Sequence, residues 1–175
     1  MSKKYRMRHN DKPYVINDVE SLHEECKKLS WDKELGDFRS QTALQSGGVG
    51  DFAEGTGTYL GDNEHQWDKL RPDLIGTYWE KFFDEFPWKV YRTRIMIMEP
   101  RTCYSMHRDP HQRLHIATYT NKQARFLFVD PPELVEIPAN GGVFKVDTRE
   151  LHTAINCGNE KRWHLLMSLD SNDID

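Results

Sequence analysis

The chain has 175 residues, 37% of them hydrophobic and 11% aromatic, which suits one globular domain with a sizeable core. With 24 Lys and Arg against 28 Asp and Glu the formal charge is −4, which excludes a strongly basic nucleic-acid binder. No apolar run reaches the ~18 residues of a membrane helix. No apolar stretch follows the charged N-terminus as it would in a signal peptide. Three scattered cysteines, Cys26, Cys103 and Cys157, suit neither a disulfide framework nor a cysteine zinc site and point to a reducing, cytoplasmic setting.

Residues 1–87 read as mostly helix and loop. Asn17-Asp-Val-Glu20 resembles a capping box, and Val19, Leu22, Cys26 and Leu29 fall on one helical face, so a helix is expected at about 18–30. A second helix is expected from Pro72, with Leu74, Ile75, Tyr78, Trp79, Phe82 and Phe83 as its apolar stripe and Pro87 as its stop. The Gly-rich stretch 46–61 lacks the Gly-Lys-Ser/Thr ending of a phosphate loop. It reads either as a surface loop or as a substrate lid hinged on glycines. Residues 88–170 differ. Short apolar or alternating runs recur there every 8–12 residues: Lys89–Met98, Thr102–His107, Arg113–Tyr119, Arg125–Val129, Leu134–Ile137, Val143–Val146, His152–Asn156 and Arg162–Leu169. Eight short strands so spaced indicate a sandwich or jelly roll. The whole chain is expected to form a single domain, its early helices covering the strands.

Alternate residues of a strand share a face. Arg113, His115 and Ala117 oppose Leu114 and Ile116. His152, Ala154 and Asn156 oppose Thr153, Ile155 and Cys157. Arg162, His164 and Leu166 oppose Trp163, Leu165, Met167 and Leu169. The apolar faces are expected under the helices, with the Arg/His faces converging in the mouth of a barrel. A solvated Arg/His face is the alternative. Cys103 and Cys157 are read as buried small hydrophobes, Asn156 as a turn stabiliser, and His111 and His164 as bystanders, His164 sharing the inward parity of Arg162.

His107 and Asp109 stand two apart in Met106-His-Arg-Asp-Pro110, so an extended backbone sends both side chains to one face. A turn centred on Cys157-Gly158-Asn159 would set His152 and Arg162 opposite each other in a hairpin, with Cα atoms ~5 Å apart. Two neutral imidazoles and one carboxylate on one face of a metal are the triad of non-haem Fe(II) oxygenases. Three positions then stay open for a bidentate 2-oxo acid and dioxygen. An arginine at the far end of the cavity would hold the distal carboxylate of 2-oxoglutarate with a two-pronged bridge.

Five stretches carry a family likeness: His107-Arg-Asp109, Arg113-Leu-His115, Gly141-Gly-Val-Phe-Lys-Val-Asp147, His152-Thr-Ala-Ile-Asn156 and Arg162-Trp-His-Leu-Leu. Residues ~88–170 resemble the double-stranded β-helix of Fe(II)/2-oxoglutarate dioxygenases and, within these, are similar to the aspartyl/asparaginyl β-hydroxylases. The resemblance implies a mainly β, cupin-like jelly roll with N-terminal helices. It implies His107, Asp109 and His152 as Fe(II) ligands and Arg162 as the 2-oxoglutarate clamp. It places His115 beside the cosubstrate carboxylate next to the keto group, and Arg113 on either an acidic substrate group or the cosubstrate. The resemblance implies O2 as co-reactant, and the basic residues Arg113 and Arg94 lead us to expect a carboxylate-bearing substrate, a free amino acid or an Asp/Asn residue of a peptide. Asp109 at the triad's acid position favours hydroxylation over halogenation. The gap from His107 to Arg113 is shorter than in familiar members. The serine that often assists the clamp falls near Met96, so Arg94 or Thr118 would have to compensate. Two other classes fit the same strands: a cupin-like protein binding metal or sugar without redox chemistry (or an isomerase), and a structural jelly-roll module.

Overall fold

A computed structural model describes residues 3–29, 40–48, 53–57, 59, 61 and 63–169. The strands form two facing antiparallel sheets. The larger contains β1 (Lys4–Arg6), β12 (Phe144–Val146), β9 (Arg113–Tyr119), β14 (Arg162–Ser168), β7 (Tyr91–Met98) and β4 (Gln41–Ala43), in that order across the sheet. The smaller runs β11 (Pro132–Val135), β10 (Ala124–Val129), β13 (His152–Asn156) and β8 (Thr102–Cys103). From β7 onward the chain crosses from one sheet to the other at every connection except the β10–β11 hairpin. That winding is a jelly roll, one of the two architectures the strand spacing indicates and the one the family resemblance implies.

Alternation along the strands sorts the core into two layers. Leu114, Ile116, Leu165 and Met167 pack on the outer face of the larger sheet against Leu22 and Cys26 of α1 (Val19–Lys28) and Trp79 and Phe82 of α2 (Tyr78–Glu85). Met98, Ala117, Phe144 and Val146 face inward onto Phe126, Phe128, Val135 and Ala154. Arg113, His115, His152, Arg162 and His164 are buried between the sheets, so the solvated alternative for that face does not hold.

The local signals are displaced from where the sequence puts them. Asp18, not Asn17, caps α1: its carboxylate accepts from Ser21 N at 2.8 Å and from Ser21 Oγ at 2.6 Å. The second helix does not start at Pro72. Pro72–Leu74 makes one 3-10 turn, Ile75 is extended and exposed, and Gly76 takes φ +78. Such a φ ends a helix and favours glycine. Thr77 then opens α2, its Oγ1 accepting from Trp79 N at 3.2 Å.

Residues 1–87 also hold more strand than expected. Besides β1 and β4 there are the short pairs β2 (Arg8–His9) with β3 (Lys12–Pro13), and β5 (Gln45–Ser46) with β6 (Lys69–Leu70). Two- and three-residue strands carry too few alternations to register as a period. Part of the Gly-rich stretch, including 49–52, lies outside the described residues. The part that is described is tethered: Gly55 O and Gly57 O both accept from the Arg92 guanidinium, at 2.7 and 2.9 Å.

Candidate metal and cosubstrate site

His107 and His152 face each other in an antiparallel bridge and exchange both backbone hydrogen bonds, at 2.9 and 3.0 Å. The segment after β8 thus continues beside β13, and Asp109 N donates to Thr148 O at 2.8 Å, fixing the carboxylate two residues beyond His107. Each imidazole is oriented through Nδ1, which lies 2.8 Å from Ser105 O for His107 and 2.9 Å from Glu150 O for His152. A carbonyl oxygen only accepts, so each Nδ1 carries the proton and each Nε2 presents a lone pair. Burial holds the His152 imidazole below its ordinary pKa, in the neutral form a metal needs. One ligand atom from each of His107, Asp109 and His152 lies within 4.8 Å of the other two. Two oriented imidazoles and a carboxylate are a donor set suited to a divalent iron.

The triad faces a cavity of about 60 Å³, also lined by Arg94, Tyr104, Arg113, His115, Phe126 and Arg162. It adjoins a larger cleft of about 340 Å³ and shares Arg94, Met96, Tyr104, His107 and Asp109 with it. Arg162 lies over the Phe126 ring, 5.0 Å from its centroid. Among the described residues its Nη2 has no hydrogen-bond partner, and neither has Tyr104 Oη. Burial brings the Arg162 pKa down only to about 10, so it stays charged at neutral pH. An unpaired, buried guanidinium is unfavourable unless an anion joins it. The cavity therefore fits a carboxylate at this end and a metal at the other.

Arg162 and His152 do not meet as a hairpin. β13 pairs with β10 and β8, whereas β14 pairs with β7 and β9, and Arg162 stands opposite Met98. The connection between them crosses from the smaller to the larger sheet. Asn156 secures that crossing, its Nδ2 donating to Glu160 O at 2.8 Å and Glu99 O at 3.1 Å. The two residues reach one cavity from opposite walls, not from neighbouring strands.

His115 is buried against Phe126, ring centroids 4.9 Å apart, and among the described residues its Nε2 lacks a partner. Its Nδ1 lies 3.4 Å from His164 Nδ1. Burial, reinforced by the Arg162 charge, holds both imidazoles well below the ordinary histidine pKa. Arg94 lines both spaces and is buried, its Nε without a partner among the described residues. Thr118 faces the other way, its Oγ1 3.1 Å from His23 Nδ1 on α1. Cys103 and Cys157 are exposed rather than buried, since both sit at the edge and end of the short sheet.

Arg113 lies beside the triad, its Nη2 3.3 Å from Asp109 Oδ1. Its other contacts come from a residue the sequence did not signal. Glu64, 1% exposed, accepts from Nη1 and from Nη2 (2.9 Å), while Nη1 also donates to Ser168 Oγ at 2.7 Å. The same Glu64 carboxylate accepts from Arg92. Nothing in Asn63-Glu-His-Gln66 forecasts burial of that acid; only the fold brings two guanidinia to it.

Burial works against Glu64 ionisation, but the Arg113 and Arg92 charges prevail and hold its pKa down to about 2. A carboxyl depressed in the folded state stabilises the protein above its unfolded pKa, near 4.5, and loses that contribution as pH falls through 2. Between those limits the native carboxylate is ionised and the unfolded one protonated. Glu64→Gln is therefore expected to unfold with about one fewer proton taken up between pH 4.5 and 2, seen as a shallower fall of stability with acid in denaturant titrations. An unchanged slope would show that the carboxyl is not depressed.

No family model matches the chain, and no curated protein sequence does. Solved structures give three likenesses. A 2OG-Fe(II) oxygenase family oxidoreductase from Burkholderia pseudomallei matches at 20% identity and TM-score 0.40, over 55% of this chain and 52% of that one. AviO1 from Streptomyces viridochromogenes matches at 16% and 0.40, over 62% and 64%. The non-heme alpha ketoglutarate dependent carbocyclase SnoK from nogalamycin biosynthesis matches at 14% and 0.32, over 46% and 50%. The matched regions thus span less than two thirds of each neighbour. At this distance the chemistry of the site rests on its own side chains.

Proposed function

We propose that the chain is an Fe(II)- and 2-oxoglutarate-dependent dioxygenase that hydroxylates an unactivated C–H bond of a carboxylate-bearing substrate, a free amino acid or an Asp/Asn-type residue of a peptide. The observation that carries this reading is the unpaired Arg162 guanidinium sharing a 60 Å³ cavity with the His107–Asp109–His152 cluster. A metal-only or structural jelly roll has no use for a buried cation without an anion. Iron, when bound, supplies the activation of dioxygen that turns 2-oxoglutarate into succinate and carbon dioxide.

The chain's own residues bind, orient and exclude water. His107, Asp109 and His152 would hold the iron. Arg162, with Tyr104 Oη, would take the distal carboxylate of 2-oxoglutarate, and His115 Nε2 would meet the carboxylate near the keto group. Phe126 walls that end of the cavity, so water is kept from the cosubstrate. Arg94, at the junction with the larger cleft, is assigned the substrate carboxylate. The narrower kinship with aspartyl/asparaginyl β-hydroxylases rests on the motifs alone. No described helix is long and apolar enough to cross a membrane. Two exposed free thiols, Cys103 and Cys157, accord with a reducing cytoplasmic setting.

The deciding experiment adds Fe(II) and 2-oxoglutarate to the anaerobic protein and records the visible charge-transfer band. A succinate-release screen over free amino acids and Asp/Asn/Pro peptides follows, with mass detection of oxygen added to the product. No band and no succinate would end the proposal. In the same assays Arg94→Met is expected to keep the anaerobic band and to lower substrate-stimulated succinate release about 100-fold or more, because a buried charge pair is lost. Loss of the band in that variant would move Arg94 from the substrate to the cosubstrate.

A further inference from the structure

Arg113 stands between two carboxylates, and they are not equal partners. Glu64 takes hydrogen bonds from both of its terminal nitrogens, and Ser168 takes another. Asp109 is left with one contact at 3.3 Å, longer than the ~2.7–2.9 Å of a full charge-assisted bond. A guanidinium bonded squarely to a metal-binding carboxylate competes with the metal for its charge. One held just off that carboxylate leaves its lone pairs available, while the backbone bond from Asp109 N to Thr148 O keeps the carboxylate in place. The position of Arg113 is thus set from behind, by Glu64.

Glu64 is itself fixed by a second cation. Arg92 donates to it and, through Nε and Nη2, to Gly55 O and Gly57 O. Arg92 adopts φ +49, a left-handed conformation that is strained outside glycine and persists only where the surroundings enforce it. The strand at this point changes register, between Leu166 and Ser168 on its neighbour β14. A strained backbone, a bulge and two carbonyl acceptors hold Arg92 against one acid behind the triad.

We propose that Glu64 is a positioning residue for the metal ligand Asp109, acting by holding Arg113 back from that carboxylate. The inference rests on His107, Asp109 and His152 binding a divalent metal. Without Glu64, Arg113 has no other described carboxylate within 4 Å but Asp109. It then moves onto Asp109 and weakens the site. Glu64 never touches the metal, so its effect travels through Arg113 and vanishes when Arg113 is removed.

The test measures Co(II) affinity by visible absorption under argon, with no turnover required. Wild type, Glu64→Gln and the double variant Glu64→Gln/Arg113→Met are compared. Glu64→Gln is expected to bind Co(II) about 10- to 100-fold more weakly, because a guanidinium bonded squarely to Asp109 competes with the metal for that carboxylate. The double variant is expected to recover to within a few-fold of wild type. Wild-type affinity in Glu64→Gln, or a double variant as weak as the single one, would overturn the proposal, the second by assigning the loss to packing. Ser168→Ala removes a hydroxyl and no charge, and decides the matter should Glu64→Gln not fold. It loosens Arg113 on its other side and is expected to weaken Co(II) about threefold, less than Glu64→Gln because the hydroxyl lost carries no charge. Unchanged affinity there would count against the idea. A wild-type protein that binds no Co(II) would instead sink the metal assignment itself.

Discussion

His152→Ala is expected to abolish conversion of 2-oxoglutarate to succinate, lowering it at least about 1,000-fold, and to lose stoichiometric Fe(II) or Co(II) binding. On the proposed assignment His152 would supply one of three donors, and its partner across the bridge, His107, could not replace it because each imidazole is already aimed by its own carbonyl. A site with two donors left holds a divalent ion far more weakly. The fold should tolerate the change, since the His107–His152 pairing is made by backbone N–H and C=O groups that alanine keeps. Metal content, melting temperature and succinate release on one preparation separate loss of a ligand from loss of structure. Undiminished succinate formation in a folded His152→Ala protein would refute the ligand assignment.

The second large effect belongs to Arg162, and its two readouts move in opposite directions. In the absence of an anion the guanidinium is buried with an unpaired Nη2. Replacing it with methionine, of similar length and apolar, removes a desolvated charge and lets the chain pack on Phe126. Arg162→Met is therefore expected to melt no lower than wild type in buffer without 2-oxoglutarate. Removing the partner of a buried carboxylate costs about 3–5 kcal/mol, so 2-oxoglutarate affinity should fall at least about 100-fold. Thermal shifts with and without 2-oxoglutarate, together with anaerobic titration of the Fe(II) complex, give both numbers. Arg162→Lys keeps the charge but not the planar fork and should fall between the two. Wild-type 2-oxoglutarate affinity in Arg162→Met would remove the clamp from the proposal.

Much of this was legible in the residues because strands advertise themselves by period. β9 and β13 fall on the runs the alternation marks, and β14 ends one residue short of its run. The parity that separated Leu114 and Ile116 from Arg113 and His115 is the parity of the two core layers. A two-residue repeat is a local property, so it survives without knowledge of the neighbours. The failures are of the opposite kind. The start of α2 depends on Gly76 adopting φ +78, one torsion that can go either way at glycine. The strands β1 and β4 exist because the larger sheet offers them an edge.

By itself the sequence determined the spacing of the strands, the inward face of the Arg and His side chains on β9, β13 and β14, and the residue types proposed to grip a metal and a dicarboxylate. Only the tertiary structure decided that β13 and β14 belong to different sheets, so that His152 and Arg162 look at one cavity from opposite walls. It alone drew Glu64 in from a segment with no pattern of its own to lie against Arg113, 49 positions away in the chain. The reason is physical. Alternation is written every second residue, whereas the pairing of buried charges is settled by which surfaces exclude water together. Residues far apart in the chain carry no mark of that until the sheets close.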